Sequence, residues 1–490
     1  MSNCHRQQKR TKIVATLGPA SDQEAVLRQM ILGGLDVVRL NFSHGTAEYL
    51  RPLISLVRAL SDELEIPIAI MGDLRGPRIR VGDIENNSVD LETGQQFVLT
   101  PETVPGDQRQ VSVSYPRLGQ DVQVGSLLLL DDGNIKIQVE KIETNGAVVG
   151  RVTQGGMLSS HRGINLPGLR VSLPSITQKD FADIDFAIEQ NLDFLALSFV
   201  QSAEDVRQLK TYLAQKDSPI EVIAKVERRN ALDDIKAIAR TADGVMVARG
   251  DLALEMSIED IPIAQKKIIT VCRQLATPVI TATQMLESMI EHSKPTRAEA
   301  TDVANAILDG TDALMLSGET AIGHYPVETV TTMASIAANI ERAWLRHELP
   351  GPVALDPPPE IEATVGYASQ VVAKTLSARA IIIYTRTGQT AHLVACHRPF
   401  IPILALSDTP ITRRRLALTW GVDSALTEEV YDTDRMIEVA LFKAQECEAA
   451  GPGDTVVITA GTPPQQHRSL TNTLKVEQIP AKPVVEPGHD

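Results

Sequence analysis

Charged side chains close two of the short apolar runs in this chain. One run ends in Lys225-Val226-Glu227, and the next continues into Arg249-Gly250-Asp251. Residues two apart on a strand share a face, so Lys225 and Glu227 point the same way. Carboxylates at the ends of neighbouring parallel strands can bind one divalent cation through oxygen, and Mg²⁺ is the usual choice beside phosphate or carboxylate. Buried ion pairing between Lys225 and the two acids is the alternative.

A second polar group follows the apolar run Val37–Leu40. Arg39, Asn41 and Ser43 alternate with apolar residues, so they face one side of a strand. An arginine, an amide and a hydroxyl on one face suit a phosphate or carboxylate, and also a cation. An internal polar network explains the same pattern equally well.

Arginines gather after the third run, where Asp73 is followed by Arg75, Arg78 and Arg80. In a chain of net charge −15, such a cluster indicates an anion site. A later run ends in Thr281-Ala282-Thr283, whose hydroxyls can orient a substrate or relay a proton. The sequence has no GxxxxGK[ST] loop. Any phosphoryl transfer would therefore depend on lysine, arginine and a metal ion for charge stabilisation.

These residues lie on eight short apolar runs that alternate with amphipathic helical stretches. The runs are Ile13–Leu17, Val37–Leu40, Ile68–Met71, Phe194–Val200, Val222–Val226, Gly244–Ala248, Val279–Ala282 and Ala313–Leu316. Such alternation predicts parallel strands, and eight units predict a (β/α)8 TIM barrel; a doubly wound sheet is the alternative. Active sites of these barrels lie at the C-terminal strand ends, which is where the polar residues above occur.

Two further regions are expected. About 120 β-rich residues separate the third run from the fourth, which predicts an inserted β-barrel lid with hinges at Gly76-Pro77 and at Pro167-Gly168 to Pro174. A Pro-rich linker follows the eighth unit, and α/β alternation then restarts as an open sheet, with one of its helices expected over Thr412–Trp420. The predicted domains are a catalytic barrel at 10–75 and 173–346, a lid at 76–172, a regulatory α/β domain at 360–477 and a flexible tail at 478–490.

Composition excludes several classes of protein. The 490 residues are 43 % hydrophobic and 22 % charged, as in globular proteins. No apolar run approaches the roughly 18 residues of a membrane span, and the start lacks a signal-peptide core. The acidic balance argues against nucleic acid or an anionic membrane as a main partner. Four cysteines without CxxC spacing suggest neither zinc nor disulfides, which fits a reducing, cytoplasmic setting.

Longer stretches around these residues resemble the pyruvate kinase family, from about Thr11 to Glu477. The matching segments are Thr11–Ser21, Arg39–Gly45, Ile223–Glu227, Met246–Asp251, Thr283–Met289, Pro295–Glu299, Asp302–Asn305 and Met315–Thr320. The resemblance implies a barrel with a β lid and a C-terminal α/β domain, usually assembled as a homotetramer. It also implies transfer of a phosphoryl group from phosphoenolpyruvate to ADP, giving pyruvate and ATP, the last step of glycolysis, with Mg²⁺ or Mn²⁺ as cofactor.

The resemblance assigns roles to the residues of the strand ends. Lys225 resembles the lysine that stabilises charge on the transferring phosphoryl group, and Glu227 and Asp251 resemble the Mg²⁺ ligands. Gly250 and Asp251 would offer backbone contacts to the substrate carboxylate, at a helix N-terminus suited to anions. Thr283 resembles the threonine beside the enolate carbon.

The remaining matches concern phosphate and monovalent cations. Arg39 would hold the phosphate of phosphoenolpyruvate. The predicted nucleotide-binding residues are Asn41, His44, Arg80 and Arg162. The predicted monovalent-cation site consists of Asn41, Ser43, Asp73 and the carbonyl of Leu74.

One departure from the family concerns K⁺. Many members need K⁺ and carry Glu where this chain has Arg78, and members with lysine there work without K⁺. A fixed guanidinium near Asp73 could replace the field of K⁺, and Leu74, where K⁺-dependent members usually have threonine, weakens the site further. We therefore predict K⁺ independence. The alternative is that Arg78 points to solvent or to nucleotide phosphate and K⁺ still binds.

A loop after the predicted strand Ala380–Tyr384 is the candidate effector site. It consists of Thr385, Arg386, Thr387, Gly388, Gln389 and Thr390. Hydroxyls, a glycine and a following helix can cradle a phosphate, whereas an ordinary helix cap is the simpler explanation. Because pyruvate kinases commonly bind a phosphorylated effector at the matching loop, we predict activation by a sugar phosphate or a nucleotide.

Two other functions remain open at this point. A lyase or aldolase on a related barrel could use Mg²⁺ at Glu227 and Asp251 to stabilise a pyruvate enolate without phosphoryl transfer. A non-catalytic metabolite sensor could keep the fold without turnover. The lid insertion and the arginines argue against the first, and the filled catalytic positions argue against the second.

Overall fold

The structure, a computed structural model, describes residues 9–356, 359–430, 432–461 and 471–481. Its strands are β1 (Lys12–Thr16), β2 (Val37–Asn41), β3 (Ala69–Asp73), β4 (Ser88–Leu91), β5 (Gln96–Thr100), β6 (Gln110–Ser112), β7 (Leu127–Leu130), β8 (Ile135–Ile142), β9 (Val148–Gln154), β10 (Gly156–Ser159), β11 (Ile164–Asn165), β12 (Phe194–Leu197), β13 (Glu221–Val226), β14 (Gly244–Ala248), β15 (Val279–Ala282), β16 (Ala313–Leu316), β17 (Ala380–Tyr384), β18 (Ile403–Ser407), β19 (Val422–Leu426), β20 (Thr455–Ala460) and β21 (Thr473–Gln478).

The helices lie mostly between the parallel strands. They are α1 (Glu24–Leu32), α2 (Ala47–Glu63), α3 (Leu118–Asp121), α4 (Gln178–Glu189), α5 (Ala203–Gln215), α6 (Arg229–Asp233), α7 (Ile235–Thr241), α8 (Arg249–Leu252), α9 (Ile261–Gln274), α10 (Arg297–Asp309), α11 (Gly318–Ala321), α12 (Pro326–Leu345), α13 (Ile361–Thr375), α14 (Gln389–Ala395), α15 (Pro410–Arg415) and α16 (Thr433–Glu446). Short 3-10 helices occur at Glu85–Asn87, Ile258–Asp260, Glu287–Ile290 and Leu416–Leu418. Among the described residues, no helix is long and apolar enough to cross a membrane.

Eight parallel strands close into a barrel in the order β1-β16-β15-β14-β13-β12-β3-β2. The barrel is therefore confirmed over the doubly wound alternative. The predicted runs match the strands closely because almost every residue of these strands is buried, between the helices outside and the barrel interior. The fourth run is the exception, since its strand ends at Leu197 and Ser198 begins a turn.

The barrel interior is filled by side chains from alternate strand positions. They include Val14, Met71, Phe194, Ile223, Met246, Ile280 and Met315. Ala417 and Leu418, from the 3-10 helix that follows α15, join the same buried cluster. The C-terminal part of the chain thus closes one end of the barrel, and we call Leu416–Leu418 the floor plug.

The insertion after β3 is a curled, mainly antiparallel sheet in the order β11-β7-β8-β9-β5-β6. The segment Ile79–Gly82 hydrogen-bonds to both of its edges: the Ile79 carbonyl accepts from the Ile164 N–H at 2.9 Å, and the Gly82 N–H donates to the Ser112 carbonyl at 2.8 Å. This bridging joins the two sheet edges, and the insertion has an apolar core of its own, separate from that of the barrel.

A third sheet lies in the C-terminal part of the chain, in the order β19-β18-β17-β20-β21. It is parallel except for β21, and α13 and α14 pack on one face while α16 packs on the other. The predicted fold class is confirmed: a barrel, an inserted curled sheet and a separate α/β sheet.

Three local predictions in the C-terminal part need correction. The helix expected over Thr412–Trp420 is instead α15 followed by the floor plug, because Ala417 and Leu418 pack into the barrel interior. Strands β19 and β21 were not predicted, since partly exposed polar residues interrupt their apolar pattern. The tail expected from residue 478 starts later: Gln478 pairs with Thr455, and Ile479 is 1 % exposed. Residues 482–490 lie outside the described part of the chain.

Candidate active site at the strand ends

Three charged side chains form a buried cluster where β3 and β13 end. The Lys225 ammonium lies 3.1 Å from Asp73 Oδ1 and 2.8 Å from Glu227 Oε1. The side chains of both acids are 2 % exposed and that of Lys225 is 11 % exposed. The structure therefore brings Lys225 and Glu227 together on one face, as the spacing predicts, and it also contains the ion pairing that we named as the alternative.

Burial and mutual charge shift the pKa values of the three residues in this cluster. Burial alone would lower the pKa of Lys225, but Asp73 and Glu227 hold it above its ordinary value. Burial opposes ionisation of Asp73 as well, yet Lys225 and Arg39 keep its pKa below the usual range. The pKa of Glu227 is raised, mainly by burial, with Lys225 opposing and the nearby charge of Asp251 adding to the rise. A cation placed between the two acids would remove that penalty.

Arg39 joins the cluster from β2. Its Nε donates to Asp73 Oδ2 at 2.7 Å, and its Nη1 donates to the Thr16 hydroxyl at 2.9 Å. Next on the same strand, the Asn41 side-chain oxygen accepts from the Ser43 N–H at 3.0 Å. The neighbouring His44 is exposed. Arg39 is thus held by protein partners on one edge while its side chain stays 12 % exposed.

The monovalent-cation candidates have partners inside the protein. Besides the bonds of Asp73 and Asn41, the Leu74 carbonyl accepts from the Ser198 hydroxyl at 2.8 Å. Arg78, the residue that departs from the family, makes its contact elsewhere, because its guanidinium lies over the Phe199 ring at 5.7 Å.

Sequence reasoning missed Ser198. Its hydroxyl accepts from the Lys225 ammonium at 2.7 Å, so it is the third oxygen around that nitrogen. The signal was present, since Ser198 is the polar residue that closes β12, just as Lys225-Val226-Glu227 closes β13. It was hidden because the apolar run was taken to continue through Phe199-Val200.

Phe199 was missed as well, and its backbone holds the candidate metal ligand. Its φ of +57° places a bulky side chain in the left-handed region, which is rare and strained. In this conformation its N–H donates to Glu227 Oε2 at 2.7 Å. The carboxylate of Glu227 is therefore held on both oxygens, by Lys225 and by Phe199. Strain of this kind concentrates at functional sites.

Thr283 sits in a strained turn held by its neighbours. Thr283 and Gln284 have φ of +69° and +53°. The Gly250 N–H donates to the Thr283 hydroxyl at 2.9 Å, and Arg249 Nη2 donates to the Thr283 carbonyl at 2.7 Å. Asp302 fixes Arg249 with both carboxylate oxygens, at 2.7 and 2.8 Å. Arg249 and Asp302 are further residues that the sequence reasoning did not single out.

The residues present suit a hard divalent cation bound mainly by its ligand. Among the described residues, no group of three or more His, Cys, Asp or Glu side chains gathers as a metal site. Glu227 and Asp251 are a pair, close enough for the charge of one to raise the pKa of the other. Mg²⁺ beside phosphates is typically held by one or two carboxylates, with substrate oxygens and water completing its shell.

The lid supplies the arginines of the expected nucleotide site. Arg80 donates from Nη1 to the His161 carbonyl at 3.0 Å, and Arg162 lies 3.1 Å from Asp131. Burial and the charges of Arg75 and Arg78 lower the pKa of Arg80. These cations repel one another, and an anion bound among them would relieve that repulsion.

A cleft opens between the lid and the barrel. Its walls are Pro77, Arg78, Ile79, Asp132, Gly163, Ile164, Asn165, Leu166, Phe199, Glu227, Arg228, Asp251 and Glu255. The two candidate metal ligands thus lie in the same cleft as two arginines, so a ligand with several negative charges can contact both groups.

The candidate effector loop is ordered by its own hydroxyls. The Thr385 hydroxyl accepts from the Gly388 N–H at 2.9 Å, and the Thr390 hydroxyl pairs with that of Thr471 at 2.6 Å. Gly388 has φ of +91°, which requires glycine. The Arg386 guanidinium is 60 % exposed, with Asp408 3.4 Å away. Gly388 is the N-cap residue of α14 and no loop side chain caps that helix, so the Thr385 hydroxyl orders the turn before the helix.

A closed parallel barrel with a curled sheet inserted after its third strand and charged residues at its strand ends defines a lidded barrel enzyme. The family comparison is more specific. The pyruvate kinase barrel-domain model matches residues 8–330, and the pyruvate kinase alpha/beta-domain model matches residues 363–477. The chain belongs to the pyruvate kinase family.

Individual relatives agree with this assignment. Pyruvate kinase 2 of Synechocystis sp. is 44 % identical over 476 residues, which cover 96 % of this chain and 80 % of the relative. The pyruvate kinase of Clostridium perfringens is 39 % identical over 478 residues, covering 96 % of this chain and all of the relative. A crystal structure of a pyruvate kinase from Cryptosporidium parvum superposes with a TM-score of 0.89 at 35 % identity over 98 % of each chain. The predicted family and the phosphotransferase class are confirmed.

Proposed function

We propose that this chain transfers a phosphoryl group from phosphoenolpyruvate to ADP, giving pyruvate and ATP. The observation that carries the proposal is Lys225, a buried cation held between Asp73 and Glu227 where two barrel strands end beneath a lid. Phosphoryl transfer demands positioning and charge stabilisation more than covalent chemistry from the protein. A fixed ammonium in a water-poor site supplies that stabilisation.

The neighbouring residues divide the remaining work. Arg39 holds the phosphate of phosphoenolpyruvate with the edge that protein partners leave open. Gly250 and Asp251 place the substrate carboxylate at the start of α8. Once the phosphoryl group has left, the enolate gains a proton at its terminal carbon and becomes a ketone, and Thr283 is the residue proposed to guide that proton.

Glu227 and Asp251 hold Mg²⁺ or Mn²⁺ in this proposal. The cation, when bound, neutralises phosphate charge and fixes the relative orientation of the two substrates. The protein residues then have separate tasks. Lys225 and Phe199 keep the Glu227 carboxylate oriented, and Arg80 and Arg162 of the lid, with Asn41 and His44, bind the nucleotide.

The K⁺ requirement is expected to be absent. Two features support this: the Asn41, Asp73 and Leu74 oxygens already accept hydrogen bonds or pair with cations, and Arg78 adds a positive charge in the adjoining cleft. Placing another cation near that charge costs Coulomb energy at short range.

The C-terminal loop Thr385–Thr390 is the proposed site for a phosphorylated activator, a sugar phosphate or a nucleotide. The exposed Arg386 and the hydroxyls of Thr385, Thr387 and Thr390 support this proposal. Replacing the three threonines by alanine should abolish activation while leaving basal turnover intact. A triple variant that responds like its parent would place the effector elsewhere or exclude one.

The proposed assembly is a homotetramer in the cytoplasm. Exposed apolar side chains on two helices support an assembly, because contact with another subunit would bury them. Ile263 of α9 is 66 % exposed and Ile361 of α13 is 62 % exposed. Sedimentation equilibrium measures the assembly directly.

A coupled assay for pyruvate tests the proposed reaction. Pyruvate should form from phosphoenolpyruvate only when ADP and Mg²⁺ are both present, with one ATP per pyruvate. Pyruvate formation without ADP would favour the lyase or aldolase. Binding of phosphoenolpyruvate without turnover would favour the sensor.

A further inference from the structure

Arg228 is a buried cation with two nitrogens that lack a partner. It follows Glu227 directly, precedes α6 and is 8 % exposed. Among the residues that the structure describes, neither its Nε nor its Nη1 has a hydrogen-bond partner. Buried polar groups in native proteins are almost always paired, and an unpaired one is destabilising. The described residues therefore provide no acceptor for the two nitrogens, and a bound ligand can provide one.

The position of Arg228 indicates where that acceptor binds. Arg228 lines the cleft between lid and barrel, together with Arg78, Glu227 and Asp251. Its guanidinium carbon lies 5.5 Å from the centroid of the Phe199 ring, and that of Arg78 lies 5.7 Å from the same centroid. Arg228 of the barrel and Arg78 of the lid thus both lie over the ring of Phe199. The acids Glu227 and Asp251 line the same cleft.

A ligand for this cleft must satisfy both kinds of charge. It needs anionic oxygens for the arginines and must share a cation with the acids. The terminal phosphates of a nucleoside diphosphate meet both requirements, because they bind guanidinium and chelate a divalent cation. We propose that Arg228 donates a charge-assisted hydrogen bond to a phosphate oxygen of the bound nucleoside diphosphate, an inference that rests on the function proposed above.

A purely structural role for Arg228 makes different predictions. Glu255, 6 % exposed, is among the carboxylates whose charge acts on Arg228, and its Oε2 accepts from the Gly168 N–H at 3.2 Å in the second lid hinge. In the structural case, Arg228 only balances Glu255. Removing both charges should then restore what removing Arg228 alone destroys.

ADP binding to the full-length protein tests the proposal, measured by calorimetry with and without Mg²⁺. Arg228→Gln should weaken ADP binding about tenfold or more in both conditions, the loss expected for a hydrogen bond to a charged group. The KM for phosphoenolpyruvate should stay unchanged. Arg229→Gln is the matched control, because Arg229 is the next residue and is exposed. Its ADP affinity should equal that of the parent chain.

The double variant Arg228→Gln/Glu255→Gln separates the two roles. If Arg228 binds phosphate, ADP affinity stays as low as in Arg228→Gln; recovery to the parental affinity would overturn the proposal. Should Arg228→Gln fail to fold, Arg228→Lys decides, since lysine keeps the charge beside Glu255 but loses the guanidinium donors. At least about threefold weaker ADP binding is then expected, and unchanged binding refutes the idea. A parent chain that neither binds nor turns over ADP would instead refute the proposed function.

Discussion

Strand β13 has charged residues at both of its ends, and the partners of these charges differ between the two ends. Glu221 begins the strand at the barrel floor, and Lys225 lies one residue before its end at the mouth, where Glu227 follows the strand. At the floor, Glu221 lies 3.2 Å from Arg415, a residue of the C-terminal part of the chain. At the mouth, the charge of Asp251 adds to the raised pKa of Glu227, and Arg228 has two nitrogens without a partner among the described residues.

Pairing at the floor is most extensive around Asp193. Asp193, which precedes β12, is fully buried and accepts from Arg58 at 2.9 Å, Arg414 at 2.7 Å and the Ile70 N–H at 2.8 Å. Asp193 at the floor is thus satisfied within the protein, whereas Arg228 at the mouth has two nitrogens without a partner and Arg415 at the floor has one, among the described residues. Burial and an unpaired nitrogen therefore do not by themselves mark a functional charge; Arg228 differs from Arg415 in that it also lines the cleft beside Glu227 and Asp251.

The largest effect is expected for a substitution at the mouth of the barrel. Lys225→Met should lower kcat at least about 100-fold, which corresponds to about 2.7 kcal/mol, with little change in the KM for phosphoenolpyruvate. The reason is that the ammonium acts on charge that grows in the transition state. Steady-state kinetics measure both constants. Lys267→Met is the control, because Lys267 is exposed and its ammonium donates to the Leu232 carbonyl. A loss of less than tenfold would show that Lys225 is structural.

The corresponding change at the floor should affect stability and spare chemistry. Arg414→Met removes one of the two arginines of Asp193, and we expect the free energy of unfolding to fall by about 2 kcal/mol, less than for a fully unpaired charge because Arg58 remains. Urea denaturation measures the loss, and kcat should stay within twofold of the parent. Arg413→Met is the control, since Arg413 donates to the carbonyls of Glu65 and Ser424 and pairs with no carboxylate among the described residues. Equal losses in the two variants would remove the distinction.

A smaller effect is expected at the lid hinge, where Arg78 is proposed to remove the K⁺ requirement. Turnover of the parent chain should rise less than tenfold when KCl replaces tetramethylammonium chloride at constant ionic strength. Arg78→Glu should create a K⁺ activation of about tenfold, about 1.4 kcal/mol, because it replaces a fixed positive charge in the cleft by a negative one. Strong K⁺ activation of the parent would sink the proposal. No response in the variant would show that more than this charge sets the requirement.

The smallest effect concerns pH at the floor. Burial raises the pKa of Glu221 to about 7, with Arg415 opposing and Asp243 adding to the rise. The folded state therefore binds this proton more tightly than the unfolded state does. The stabilisation is complete at pH values below the ordinary glutamate pKa and is lost as pH rises toward 7. Glu221→Gln should lose less of its Tm between pH 5 and pH 8 than the parent does. Parallel Tm curves would contradict this assignment.

The sequence predicted the barrel and the charged strand ends because both follow local rules. Each strand is a continuous apolar run, and Lys225 and Glu227 share a face through simple alternation. Ser198, Phe199 and Arg249 escaped notice for a different reason. Their roles depend on turns with positive φ and on bonds to distant strands, such as the Phe199 N–H to Glu227. A one-dimensional pattern does not encode such contacts.

The floor was invisible to sequence reasoning for a related reason. The sequence of three arginines at 413–415 is typical of a solvent-exposed helix face. Neighbouring residues in the chain do not indicate which groups these arginines pair with. Those partners precede them by more than 190 residues, at Glu221 and Asp193. The same holds for the floor plug, which lies in the segment expected to be one helix and places Ala417 and Leu418 in the barrel interior.

The floor plug also has a consequence for the order of events on the ribosome. The last barrel strand ends at Leu316, whereas Ala417 and Leu418 follow about 100 residues later. At about 5–20 residues per second, roughly 5–20 s of synthesis separate the two. During that interval the nascent barrel has all its strands but an apolar opening at its base. A chain that ended after the last barrel strand would keep that opening. Packing of the floor plug from the C-terminal part is therefore the last step in folding of the barrel.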